Sequence, residues 1–145
     1  MRSVVIGFGS TLRSDDGIGP RVAERVARLT NSSEVLVLAR QVLTPDLAGD
    51  IHGVNRVVFI DASVKDEPGR VRERWLKPDC CTSDAMVHCL EPRELLAWCL
   101  ETYGSAPEAV LITVGGHSFE IGETLSREVS QALPDIVRRT LDLLR

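Results

Sequence analysis

Val4-Val5-Ile6-Gly7-Phe8-Gly9-Ser10-Thr11-Leu12-Arg13-Ser14-Asp15-Asp16-Gly17-Ile18-Gly19-Pro20 is the stretch on which the reading of this chain turns. An apolar, β-branched run climbs into a glycine-rich turn, and two adjacent carboxylates follow just before a helix. The run Val4–Ile6 reads as a short buried strand. Pro20 is tolerated only in the first turn of a helix, so the helix must begin near Gly17 or Ile18. Ile18, Val22, Val26 and Leu29 then fall on one stripe, with Arg21, Glu24, Arg25 and Arg28 on the other side. This predicts a helix over about 18–29. The glycines serve folding. Two like charges side by side do not, and a bound cation is the simplest use for them.

Working outward, the strand–helix alternation continues. Glu34–Leu38 reads as a second strand, and Thr44-Pro45-Asp46 as the opening of a short helix to about His52, capped by Thr44. Arg56–Ile60 is a third apolar strand, expected to end at Asp61. Pro68-Gly69 marks a turn, and Arg70–Trp75 alternates as an edge strand does. Residues 77–90 look irregular. Glu91-Pro92 starts a helix closed by Gly104, Ala109–Val114 is a further buried strand, and Ser126 caps a last helix to Leu144, with a kink or break expected at Pro134. Strands that are apolar throughout are buried on both faces. The pattern therefore predicts an α/β fold, a mainly parallel sheet with helices on both sides.

The bulk properties fit one domain spanning 1–145. The chain is 43% hydrophobic and 26% charged, with a net charge of -4. No basic footprint points to nucleic acid, and no apolar stretch approaches the ~20 residues of a membrane span. No secretory signal pattern is visible, so the expected location is the cytoplasm. Of the four cysteines, Cys80 and Cys81 are adjacent and Cys89 follows His88. A zinc site from these four residues is conceivable, but vicinal thiols match poorly the usual ligand spacing, and reduced thiols are the simpler reading.

In an open α/β sheet, ligands bind beyond the carboxyl ends of the strands. The loop with Asp15 and Asp16 follows the first strand and Asp61 ends the third, so both belong to one edge. His88, before a helix, can reach the same edge. Asp16, Asp61 and His88 would offer two oxygens and one imidazole nitrogen to a divalent transition metal and leave positions open. An aspartate before a helix is also a common cap or dipole partner. The expected division is that Asp15 holds the loop through backbone amides while Asp16 faces the cleft. Other sites are excluded. Leu12 stands where a dinucleotide fingerprint needs its third glycine, and Glu120 stands where Gly116-His117-Ser118-Phe119-Glu120 would need one to be a nucleophile elbow. His117 and Ser118 read as loop residues, and His52 as solvated.

These motifs resemble those of the hydrogenase maturation endopeptidases, which trim the C-terminus of the large subunit of nickel–iron hydrogenases. Gly7-Phe8-Gly9-Ser10-Thr11-Leu12 with Asp15-Asp16-Gly17-Ile18-Gly19 is similar to that family's glycine- and acid-bearing first loop. Val57-Val58-Phe59-Ile60-Asp61-Ala62, followed by Pro68-Gly69, is similar to its strand ending in Asp-Ala, and His88 before Glu94-Leu95-Leu96 to its histidine ahead of a helix. Ser10 departs from the family's asparagine, and Gln41–Leu47 replaces a glycine- and threonine-rich loop. The resemblance implies a three-layer α/β/α sandwich with a twisted five-stranded sheet. It implies catalytic and metal-binding roles for Asp16, Asp61 and His88, with Gly9, Ser10, Asp15 and Gly17 bordering the substrate. The metal it implies is nickel carried in by the partner, the large-subunit precursor, with no tightly bound cofactor of the chain's own. Two alternatives stand beside it. One is a receiver-like phosphoacceptor domain with Asp61 phosphorylated, which would need a lysine after the last strand that Val110–His117 lacks. The other is a non-catalytic metal-binding maturation factor of the same fold.

Overall fold

The computed structural model describes residues 1–79 and 90–145. In chain order it contains β1 (Ser3–Phe8), a 3-10 turn at Ser14–Gly17, α1 (Ile18–Leu29), β2 (Val35–Arg40), α2 (Leu47–Ile51), β3 (Arg56–Pro68), β4 (Val71–Leu76), α3 (Pro92–Tyr103), β5 (Glu108–Gly115) and α4 (Arg127–Leu143). The five strands form one sheet in the order β2-β1-β3-β5-β4. β1 pairs in parallel with β2 and β3, and β3 with β5, while β4 closes the edge antiparallel to β5.

Alternation along the strands divides the interior into two cores. Val4, Ile6, Val57 and Phe59 point to one face, where they meet Leu47 and Ile51 of α2 and Leu95, Leu96 and Cys99 of α3. Val5, Val58, Ile60, Val110 and Ile112 point to the other, against Ile18, Val22 and Val26 of α1 and Val129, Ile136 and Val137 of α4. Both faces are covered, which is why these strands are apolar at every position. The result is the α/β/α sandwich with a mainly parallel sheet that the sequence predicts.

Close approach at the start of α1 depends on glycine. A Cβ on Gly19 would lie 2.4 Å from the Ile60 carbonyl oxygen and 2.5 Å from that of Phe8. The first turn of α1 therefore rests on the ends of two strands, and any side chain there would lift it away.

Several expectations need correction. β3 does not end at Asp61. It continues to Pro68, because β5 goes on pairing with it after β1 has stopped: Gly7↔Ile60 closes the β1 ladder, while Asp61↔Thr113, Ala62↔Val114 and Ser63↔Gly115 extend the β5 ladder. The chain then bulges and rejoins the same glycine at Pro68↔Gly115. Thr44 is not the cap of α2, which begins at Leu47 after Asp46, with no side-chain cap bond. α4 is not split at Pro134 and runs unbroken over Arg127–Leu143. Buried Val129 before the proline, with Ile136, Val137 and Thr140 after it, packs the helix on both sides, and this packing outweighs the one lost backbone bond.

Candidate active site

Strand order sets the place. β1 leads through α1 to β2 on one side, and β2 leads through α2 to β3 on the other. The two connecting helices cover opposite faces of the sheet. A crevice therefore opens beyond the carboxyl ends of β1 and β3, the position at which open α/β sheets bind their ligands. The loop after β1 carries Asp15 and Asp16, and β3 carries Asp61 one residue beyond its last pair with β1.

The adjacent acids do different work. Asp15 is fully buried. One carboxylate oxygen accepts the amide of Ser126 at 2.7 Å, and the other accepts those of His117 at 2.7 Å and Ser118 at 3.0 Å. Burial pushes its pKa up, but these amides and the Ser126 hydroxyl outweigh it and hold the carboxyl below the usual range. Asp15 thus holds the loop through backbone amides, as expected, and ties it to residues more than one hundred positions away. Its carboxylate has no free oxygen to offer a bound chain, so any part it takes in binding substrate goes through the loop.

Asp16 is half-buried. Its Oδ2 accepts the Ser10 amide at 2.7 Å, and that is its one side-chain hydrogen bond among the described residues. Gly9 makes the geometry available. Its φ is +139°, and a Cβ there would sit 2.0 Å from the Asp16 carbonyl oxygen. Gly17, also buried, lies against the backbone of Thr11. Of the residues expected at a substrate border, Gly9 and Ser10 line an open cleft of about 270 Å³ with Arg40 and Gln41.

Asp61 lines a second cleft, of about 480 Å³, with Phe8, Lys65, Arg74 and Arg93 among its walls. Its pKa is raised to about 7. Burial is the main cause, the Ala62 amide draws it back, and the negative charge of Asp16 pushes it up again. The topology brings Asp16 close enough to Asp61 for its charge to be felt there, although the two are remote in sequence. A buried acid beside a second carboxylate suits a cation. His88 lies outside the described residues, as do Cys80, Cys81 and Cys89. Among the described residues, no group of three or more His, Cys, Asp or Glu side chains is placed to hold an ion.

Although His117 and Ser118 read as loop residues, reading the sequence missed the long-range bonds made by the loop at 117–126. Besides its three bonds to Asp15, it receives the Ser14 hydroxyl on the Glu120 carbonyl at 2.7 Å and the Arg21 guanidinium on the Glu123 carbonyl. His117 is exposed and faces Glu128 at 3.5 Å. His52 is exposed too, but its ring stacks on Tyr103 with centroids 4.1 Å apart.

No family model and no curated protein matches the chain. Solved structures do. The NiFe hydrogenase maturation protease HycI from Thermococcus kodakarensis KOD1 is 27% identical, with a TM-score of 0.78 over 99% of this chain and 92% of its own. The hydrogenase 2 maturation peptidase from Thaumarchaeota archaeon SCGC_AB-539-E09 is also 27% identical, with a TM-score of 0.76 over 99% and 98%. An endopeptidase from Escherichia coli is 26% identical, with a TM-score of 0.82 over 100% and 93%. The receiver alternative finds no support, since receivers share the 2-1-3-4-5 order of flavodoxin-like sheets and this sheet inserts β5 before an antiparallel β4. In its fold and over nearly its whole length the chain is similar to these hydrogenase maturation proteases.

Proposed function

We propose that the chain is an endopeptidase that removes the C-terminal peptide of a nickel-loaded hydrogenase large-subunit precursor. The observation that carries this reading is the meeting of Asp16 and Asp61 at the carboxyl ends of β1 and β3, where burial and the charge of Asp16 raise the Asp61 pKa and a cation would relieve it. Nickel belongs to the substrate in this account. It enters with the precursor and supplies Lewis-acid polarisation of the scissile carbonyl and of an attacking water.

The chain's own residues do the rest. Ser10 donates its amide to Asp16 Oδ2, which fixes the carboxylate plane and leaves Oδ1 available to the ion. Asp61 gives up its proton as the ion arrives, because the incoming positive charge removes the cost of ionising it. His88 is proposed as the third ligand, an imidazole nitrogen beside two oxygens. A precursor without nickel offers these acids nothing to hold, so metal loading is checked before the chain is cut. No helix is long and apolar enough to cross a membrane among the described residues. The reaction is proposed for the cytoplasm.

The test is direct. Purified chain mixed with nickel-loaded precursor should shorten it, seen as a shift on a denaturing gel, and leave nickel-free precursor intact. Asp16→Asn, Asp61→Asn and His88→Ala should each stop the shortening while the circular dichroism spectrum stays unchanged. Full processing by any one of the three removes that residue from the site.

A further inference from the structure

The cleft beside Asp61 holds groups that the proposed chemistry does not use. Asp61 stands opposite Thr113 on β5, and Leu111, two residues before Thr113, stands opposite Arg74 on β4. Paired residues, and residues two apart on a strand, share a face. Asp61, Thr113, Leu111 and Arg74 therefore all lie on the side of the sheet that carries α2 and α3. On that side α3 packs Leu95, Leu96 and Cys99 into the core with Val57, Phe59 and Ala109, and it begins only at Pro92. The cleft of about 480 Å³ opens at that end of α3, with Lys65, Arg74 and Thr113 beside Asp61 in its walls.

Three of these groups lack partners. Asp66 is paired with Arg72 at 3.1 Å, Glu73 with Arg139 at 3.7 Å and Asp79 with Arg93 at 3.9 Å, while the Glu91 side chain closes the capping box of α3. These acids are engaged, and Lys65 and Arg74 form no ion pair among the described residues. Thr113 is 7% exposed, yet its hydroxyl makes no hydrogen bond among the described residues. By contrast, the hydroxyl of buried Thr140 donates to the Ile136 carbonyl at 2.8 Å. A buried hydroxyl without a partner costs free energy, and a peptide group in the cleft would restore the missing bond.

We propose that this cleft binds a carboxylate carried by a peptide segment, with Lys65 and Arg74 meeting the charge and the Thr113 hydroxyl bonding the peptide backbone between them and Asp61. That the segment belongs to the client rests on the endopeptidase reading, which the proposal deepens by naming a specificity feature. Strand spacing sets the register. Neighbouring strands lie ~4.8 Å apart, so β4 stands roughly 10 Å from β3 across β5, a span that an extended peptide covers in about three residues. The carboxylate therefore falls about three residues from the backbone held at Asp61. It is supplied by an acidic side chain or by a free carboxyl terminus.

The experiment titrates isotope-labelled chain with three probes and follows its amide NMR shifts. The probes are acetyl-tetraalanine with a free carboxylate, the same peptide as its amide, and an acetyl-Ala-Ala-Ala-Asp amide. At least one carboxylate peptide should bind about fivefold or more tighter than the neutral amide and move the amides of Leu111, Thr113 and Arg74. That advantage should vanish in Lys65→Gln/Arg74→Gln and shrink at high salt. Whichever carboxylate binds tighter tells terminus from side chain. Thr113→Val should weaken all three probes alike, by about fivefold. Equal binding of all three probes, a preference that survives the double variant, unchanged binding by Thr113→Val, or shifts confined to another part of the fold overturns the proposal. The assay involves neither nickel nor cleavage. A wild-type chain that prefers the carboxylates but leaves loaded precursor uncut sinks the endopeptidase reading alone. One that cuts loaded precursor and shows no preference sinks the carboxylate site alone.

Discussion

Replacing Asp61 by asparagine should stabilise the protein while removing its activity, and the gain should depend on pH in a defined way. The carboxyl titrates at about 7 in the folded chain and at 3.8 when unperturbed. An acid whose folded pKa is raised favours folding while it is protonated. That advantage is complete below the unfolded pKa, is lost as pH rises from about 4, and is gone above about 7. A rise of about three pKa units at about 1.4 kcal/mol each makes ionised Asp61 cost the fold on the order of 4 kcal/mol. Asparagine keeps the shape and never ionises. In urea unfolding at fixed temperature, Asp61→Asn and wild type should be nearly equal at pH 4. The variant should then gain about 1.4 kcal/mol per pH unit up to about pH 7 and hold a constant lead beyond it. Processing of loaded precursor should be absent at every pH. A difference that is flat in pH, or a variant less stable than wild type at pH 8, would refute the view that Asp61 is a strained acid kept for chemistry.

The other expectations are more local. Asp15→Ala should destabilise the fold by about 3–5 kcal/mol, because it strands the amides of His117, Ser118 and Ser126. Since the Asp15 pKa is lowered, the stability it contributes is present above 3.8 and is lost as pH falls through the folded value, so acid unfolding should begin at higher pH in the variant. For the wild-type enzyme, kcat/KM should fall about tenfold per pH unit below about pH 7, as free Asp61 takes up its proton, and a profile level down to pH 5 would exclude Asp61 as a group that must ionise. Pro134→Ala restores a backbone donor in the middle of α4 and should stabilise by about 1–2 kcal/mol, read from the thermal midpoint.

The parts of the fold legible in the sequence are those set by neighbours along the chain. The helix predicted at 18–29 is found at Ile18–Leu29, because Pro20 and the Ile18-Val22-Val26 stripe are local constraints. Gly104 closes α3 in the left-handed conformation expected of it, with φ of 81°. What sequence reading missed is set by residues far away. Nothing between Ala62 and Pro68 announces a continuing strand, since the polar Lys65-Asp66-Glu67 breaks the apolar pattern. The extension exists because β5 is there to pair with it. Pro134 looked like a break because its cost is local, whereas the packing that overrides it lies across the α1 and β5 faces. His117 and Ser118 read correctly as loop residues, but nothing local tells what the loop at 117–126 bonds to. Its partners are Asp15, Ser14 and Arg21, one hundred residues earlier.

That distance explains why two like charges stand side by side at Asp15 and Asp16. Under the proposed function, a metal-binding acid must keep at least one oxygen free, so it cannot spend both on its own loop. Asp16 spends one oxygen on the Ser10 amide. Asp15 spends both on the 117–126 loop and has nothing left for a ligand. In the proposed function the pair separates anchoring from coordination, and each role depends on its own kind of burial. Satisfied by three amides, Asp15 is held ionised in the interior. Asp61, short of donors and facing Asp16, is pushed toward neutrality until a cation arrives. Exchanging the two environments would undo the site, for a buried Asp15 without its amides would protonate and release the loop, and an Asp16 satisfied by the same amides would have no oxygen to offer the client's metal.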